Sequence, residues 1–147
     1  VLLLHLRPTE LENKTLQEGL QMILKELTDR SNIRVVYKDM VKKVPKRIED
    51  NLFRIAQEFI SNTLKHAKAS QIEVYLYQNS QEIQLKMLDN GVGFDLNAST
   101  DEMSYGLKNI QERVDEMAGT VQFLSAKGKG TSIDVRVPIL RGEDNVE

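Results

Sequence analysis

Two seven-residue runs, QIEVYLY (71–77) and EIQLKML (82–88), alternate apolar with polar side chains. A period of two is the signature of a strand with one buried face. Asn79-Ser80 separates the runs, so they predict an antiparallel hairpin. Its inner face would carry Ile72, Val74 and Leu76 against Ile83, Leu85 and Met87. A sheet with one apolar face must be covered, and the cover has to come from elsewhere in the chain.

Three segments with helical spacing can provide it. Thr15-Leu16-Gln17-Glu18 is a capping box, in which the hydroxyl and the carboxylate satisfy each other's helix-end amides. The helix it opens places Leu16, Leu20, Ile23, Leu24 and Leu27 on one face and ends near Ser31. Pro45 can start a helix without needing its N–H. From there to about Ala67, Ile48, Leu52, Ile55, Ala56, Phe59, Ile60 and Leu64 form an apolar stripe. A third helix runs from Tyr105 through Leu107, Ile110, Val114 and Met117, with Gly119 as its stop. Further strands are expected at Ile33–Tyr37, TVQFLS and TSIDVRVP. The predicted fold is therefore α+β. It is a two-layer α/β sandwich with a mixed, mostly antiparallel sheet of about five strands and three helices on one face.

Composition narrows the chemistry. At 147 residues with 40% hydrophobic side chains, one core of ordinary size is expected. Cysteine is absent, which excludes disulfides, thiolate zinc sites and thiol nucleophiles. With only His5 and His66, a multi-histidine metal site is not expected. A net charge of −2 and 5% aromatics argue against a nucleic-acid surface. No stretch approaches the ~20 apolar residues of a membrane span. The chain starts at Val1 rather than Met and reads as a piece of a longer protein.

Within this frame, four places do not read as scaffold alone. On the Pro45–Ala67 helix, taken at ~100° per residue, Glu58 and Asn62 lie on the border of the apolar stripe, flanked by Lys65 and His66. A carboxylate, an amide, an ammonium and an imidazole thus line one helix edge. An amide oxygen suits Mg²⁺, which needs few protein ligands when phosphates supply the rest. A carboxylate beside it could act on a proton. The stretch DNGVGFD (89–95) follows the second strand. Asn-Gly there is a strong hairpin signal, yet the polar segment LNASTDEMS (96–104) follows instead of a clear strand, and reads as a lid. Gly106 is expected to open the third helix, where free amides favour anions. Gly128 and Gly130, before Thr131, read as a turn between two strands.

Taken in order, QEFISNTLKHA, DNGVGF, YGLKNI and GKGTSIDVRVP resemble the N box and three glycine boxes of the ATP-binding family shared by gyrase, Hsp90, histidine kinases and MutL, the Bergerat fold. The match is closest to sensor histidine kinases that pair with LuxR-type response regulators, among them kinases of cell-envelope stress. The resemblance implies ATP and Mg²⁺ as ligands. It implies that Asn62 holds Mg²⁺ and that Glu58 is the acidic catalytic position, while Asp89 accepts from the adenine amino group. Gly91, Val92 and Gly93 would line the base with their backbone. Tyr105, Gly106 and Leu107 would meet the phosphates under the lid. Gly130 and Thr131 would lie near the adenine, and Lys65 and His66 near the phosphates or ribose. LLLHLRP resembles the end of a dimerisation region. The implied division is 1–8 as the end of that region, 9–140 as the catalytic domain and 141–147 as a tail. His5 does not match the phosphoacceptor context, so the accepting histidine is expected elsewhere. The implied partners are the dimerisation and phosphoacceptor domain of the same kinase and a LuxR-type response regulator, with no nucleic acid. The full-length protein would be a homodimer at the bacterial cell membrane, with this part a cytoplasmic, monomeric domain. Alternatives within the fold are an anti-sigma-factor serine kinase and an ATPase module of the same family.

Overall fold

The computed structural model describes residues 13–95, 101–140 and 142–143, with backbone alone at 67 and 101–103. The expected end of a dimerisation region (1–8) and most of the expected tail lie outside these residues, as do residues 96–100 of the polar segment.

The elements are α1 (Leu16–Arg30), β1 (Arg34–Met40), α2 (Lys46–Asn62), a π turn (Thr63–Ala67), β2 (Gln71–Gln78), β3 (Glu82–Asp89), α3 (Asp101–Glu116), β4 (Thr120–Ser125) and β5 (Thr131–Pro138). The strands form one sheet in the order β1-β2-β3-β5-β4. β2 and β3 make the hairpin expected from their alternation, with Val74 opposite Met87 and Leu76 opposite Leu85. β1 pairs parallel to β2. A parallel pair needs a long crossover, and α2 is that crossover. All other pairings are antiparallel.

Ile72, Val74, Leu76, Ile83, Leu85, Met87, Ile133, Val135 and Val137 are buried on one sheet face. Leu20, Ile23, Ile48, Leu52, Phe53, Ile55 and Ile60 meet them from α1 and α2 within one cluster. At about 1.5–3 kcal/mol for each fully buried aliphatic or aromatic side chain, this layer contact dominates stability. The other sheet face is polar, apart from features such as the stacked Tyr75 and Tyr77 rings, 6.2 Å apart at 4°.

The capping box is present as expected: Thr15 Oγ1 accepts from Glu18 N–H at 3.1 Å, and Thr15 N–H donates to Glu18 Oε1 at 2.9 Å. Glu49 of α2 adds a cap across helices, accepting from Leu16 N–H at 2.7 Å. Burial pushes its carboxyl above the usual carboxylate range. Gln57, which the ~100° projection places on the polar side of α2, is buried. That side faces α3, which packs on α2. Arg54 Nη1 donates to Gln57 Oε1 at 2.7 Å.

α3 begins five residues earlier than Gly106, at Asp101. The last four residues of the segment read as a lid, 101–104, are therefore helical, and Gly106 sits in the second turn rather than at the free amides of the first. Nothing in the Asp101–Ser104 stretch breaks a helix, and polar composition alone is a weak guide to a boundary. At its other end, Gly119 N–H bonds Val114 O and Ala118 N–H bonds Asp115 O, both at 3.0 Å. This pair is the Schellman pattern. The left-handed residue is Ala118, with φ 56°. Gly119 is needed for room instead, since a Cβ there would lie 2.6 Å from Arg136 O. Because Ala118 is exposed and carries the left-handed strain, Ala118→Gly is expected to stabilise the chain by up to about 1 kcal/mol. Urea denaturation measures this, as a higher midpoint at unchanged slope.

Candidate functional site

At the end of β3 the chain leaves the sheet with a buried carboxylate. Asp89 is 8% exposed. Its Oδ1 accepts from Gly91 N–H at 2.9 Å and from Thr131 N–H at 3.2 Å. Its Oδ2 accepts from the Thr63 hydroxyl at 2.9 Å. The carboxylate thus joins the end of α2, its own loop and the start of β5.

The Asn90-Gly91 pair is not a type I′ turn. That turn needs positive φ at both central residues, and neither has it. Asn90 works as a staple instead. Its Oδ1 accepts from Ser70 N–H and Gln71 N–H, both at 2.9 Å, and its Nδ2 donates to Ser70 Oγ at 2.8 Å.

The stretch 89–95 then packs on the 126–130 loop. Gly128 N–H donates to Val92 O at 2.6 Å, and Phe94 N–H donates to Ser125 Oγ at 2.9 Å. Gly93 (φ 65°) and Gly130 (φ 74°) are the close approaches. A Cβ on Gly93 would lie 2.0 Å from Ala126 O, and one on Gly130 would lie 2.1 Å from Asp89 O. The glycines are required by backbone meeting backbone, a stronger constraint than the room for a base expected at Gly91 and Gly93.

A cavity of about 220 Å³ opens beside Asp89. Phe59, Phe94, Leu107, Ile110 and Ile133 give it apolar walls, and Asn62, Thr63, His66, Asp89 and Thr131 give it polar points. Of the sequence-predicted residues, Asn62, His66, Asp89, Gly93, Leu107 and Thr131 meet here. Gly91 and Gly130 are buried just behind, in the loops that shape the wall. Val92 and Tyr105 are exposed, at 47% and 69%, and do not line the cavity.

Glu58 and Lys65 line a second, polar groove of about 460 Å³ between α2 and α3, together with Arg54, Ser61 and Arg113. Lys65 and His66 already stand ~100° apart on the helical projection, on either flank of Glu58 and Asn62, and the π turn at Thr63–Ala67 turns both further back. A turn closed i→i+5 advances fewer degrees per residue than an α-helix. Beyond Asn62 the ~100° projection therefore runs ahead of the chain. Lys65 falls back toward Ser61, and His66 toward Asn62.

Gly106 stands between the two spaces. A Cβ on it would lie 2.9 Å from Glu58 Oε2 and 3.0 Å from Asn62 Nδ2. Glu58, Asn62 and the α3 backbone are therefore in close contact. Among the described residues, no group of three His, Cys, Asp or Glu is placed to hold a metal ion. A cation here would have the Asn62 oxygen as its protein donor and would need oxygens from a ligand.

Sequence reasoning missed Thr63 and Ser125. Thr63 had a signal: on the ~100° projection it falls near 140° from Glu58, in the middle of the apolar stripe. A hydroxyl at such a position, 2% exposed here, calls for a buried partner. Ser125, whose Oγ lies 2.9 Å from Thr131 Oγ1, had none.

A family model described as histidine kinase-, DNA gyrase B- and HSP90-like ATPase matches residues 47–141. The sensor protein VraS of Staphylococcus haemolyticus is 42% identical over 144 residues, 98% of this chain and 41% of that protein. The sensor histidine kinase LiaS of Bacillus subtilis is 42% identical over 97% of this chain and 39% of its own length. The chain thus spans about two fifths of the length of these curated relatives. Among solved structures, the histidine kinase domain of the Erythrobacter litoralis EL346 blue-light activated histidine kinase has a TM-score of 0.68 at 17% identity, over 88% of this chain and 64% of that one. The mycobacterial sensor histidine kinase MprB has a TM-score of 0.62 at 18% identity, over 84% and 95%. These structures share the fold.

The two loop glycines offer a direct check on the packing. Gly128 and Gly130 have nearly the same φ, 78° and 74°. Around Gly128, however, nothing lies within 4 Å of a Cβ. Gly128→Ala is expected to cost about 1–2 kcal/mol, the left-handed penalty alone. Gly130→Ala must also displace Asp89, and is expected to cost more than about 3 kcal/mol. Chemical denaturation of the two variants side by side measures the difference.

Proposed function

The chain belongs to the histidine kinase-, DNA gyrase B- and HSP90-like ATPase family, and from that premise we propose that it is the ATP-binding catalytic part of a two-component sensor histidine kinase. The observation that carries this reading is the Asp89 carboxylate. An ionised carboxylate offers about four acceptor sites, and three are taken by Thr63, Gly91 and Thr131. The remaining one, on Oδ2, belongs to a residue that lines the apolar-walled cavity. That environment suits a flat heterocycle with an exocyclic amino group, as adenine has. Relatives that are 42% identical bear the names of sensor kinases.

Asn62 lies at the cavity and against Gly106, and its amide oxygen would hold Mg²⁺ together with phosphate oxygens. When bound, Mg²⁺ neutralises charge on the phosphates during transfer. In-line transfer needs positioning and charge balance more than covalent help from the protein. Glu58 lines the outer groove, from which an acceptor side chain can approach. Its carboxylate would accept from one nitrogen of an incoming imidazole and leave the other unprotonated as the nucleophile. The accepting histidine would lie on the kinase's dimerisation domain, outside this chain, and the phosphoryl group would pass on to a LuxR-type response regulator. The whole kinase would be a homodimeric membrane protein with this part in the cytoplasm. Among the described residues, no helix is long and apolar enough to cross a membrane.

Two variants separate the base from the phosphates. Asp89→Asn puts an amide where the acceptor is needed, and is expected to weaken ATP binding at least tenfold, about the value of a lost charge-assisted hydrogen bond. Asn62→Asp is expected to leave adenosine binding unchanged and to alter the Mg²⁺ dependence of ATP binding and transfer. Calorimetric titration with ATP, with and without Mg²⁺, decides both. An unchanged ATP affinity in Asp89→Asn would sink the adenine reading.

A further inference from the structure

Thr63 is the first residue of the π turn, and it is buried in the apolar stripe of α2. A helical threonine ordinarily turns its hydroxyl back to the carbonyl one turn earlier. Here the backbone N–H of Thr63 is shared between Ile60 O and Phe59 O. The hydroxyl points across to Asp89 Oδ2, 2.9 Å away. Both side chains line the same cavity.

The proton count fixes the chemistry of this edge. A hydroxyl has one proton and two acceptor sites. An ionised carboxylate has no proton, so Thr63 must be the donor of the bond. That leaves Thr63 Oγ1 with acceptor sites only. Asp89 Oδ1 is already held by Gly91 and Thr131, so the open site of the carboxylate lies on Oδ2, the oxygen that Thr63 holds.

We infer that Thr63 is a positioning and specificity residue: it fixes Asp89 Oδ2 before the nucleotide arrives and makes the cavity edge all-acceptor, selecting a 6-amino over a 6-oxo purine. This deepens the adenine reading and rests on it. A purine amino group brings protons to that edge. An oxo group brings lone pairs to lone pairs, and neither Asp89 nor Thr63 has a donor left to turn toward it. The preorganised edge also removes the cost of reorienting the carboxylate on binding.

The test uses the 147-residue chain and a ribose-labelled fluorescent ATP analogue, displaced by ATP or by its 6-oxo counterpart ITP. The wild-type chain is expected to prefer ATP. Thr63→Val keeps the shape and removes the hydroxyl, and is expected to lower the ATP-over-ITP preference roughly tenfold, chiefly through weaker ATP binding. Thr63→Ser, which restores the hydroxyl in a smaller side chain, is expected to recover most of the preference, and it remains informative should the valine variant fold poorly. Asp89→Asn is the control on the underlying reading. If it leaves the preference intact, adenine does not meet Asp89, and the inference falls with that reading. If Asp89→Asn abolishes the preference while Thr63→Val keeps it, the role of Thr63 alone is overturned. Loss of preference in both Val and Ser variants assigns the effect to packing and also overturns it.

Discussion

The site is organised around one buried carboxylate. A carboxylate buried as Asp89 is calls for donors held toward it. The three donors come from three separate parts of the chain: the end of α2, the 89–95 loop and the start of β5. Satisfying them fixes where those parts sit relative to one another. Gly93 and Gly130, both at positive φ, follow from the same constraint. Gly130 must bring its backbone against Asp89 O so that Thr131 N–H reaches the carboxylate, and Gly93 must bring the other loop onto Ala126. The cavity is the space left once these contacts are made.

Much of this was legible because it is written in periodicities and in backbone chemistry. Alternation at 71–77 and 82–88 marked the hairpin, the capping box marked the start of α1, and the apolar stripe of α2 marked the covering layer. Asn62, Asp89, Gly93, Leu107 and Thr131 were singled out in order along the chain, and they line one cavity. What escaped depends on departures from regular geometry. A uniform helix sets Lys65 and His66 on either flank of Glu58 and Asn62; that they line two separate spaces, and that a π turn carries both, is not written in its period. The start of α3 was placed too late because a polar helical turn and a polar loop have the same composition. Gln57 was read as solvent-facing because one helix's periodicity carries no information about a second helix packing on its polar side. Ser125 works through a contact between loops, which leaves no local pattern.

The two spaces flanking Gly106 impose a further condition on any nucleotide. The cavity beside Asp89, at about 220 Å³, is below the ~300 Å³ at which pockets for drug-sized ligands begin. The larger groove lies on the other side of α2, with Glu58 in its wall. The way between them passes Asn62, where the α3 backbone at Gly106 rests on both side chains. On the proposed reading, a ligand with its base against Asp89 and its phosphates on Asn62 would meet this contact. A side chain at position 106 would interlock with the carboxylate and the amide. Glycine makes the contact close because it presents no side chain to either group.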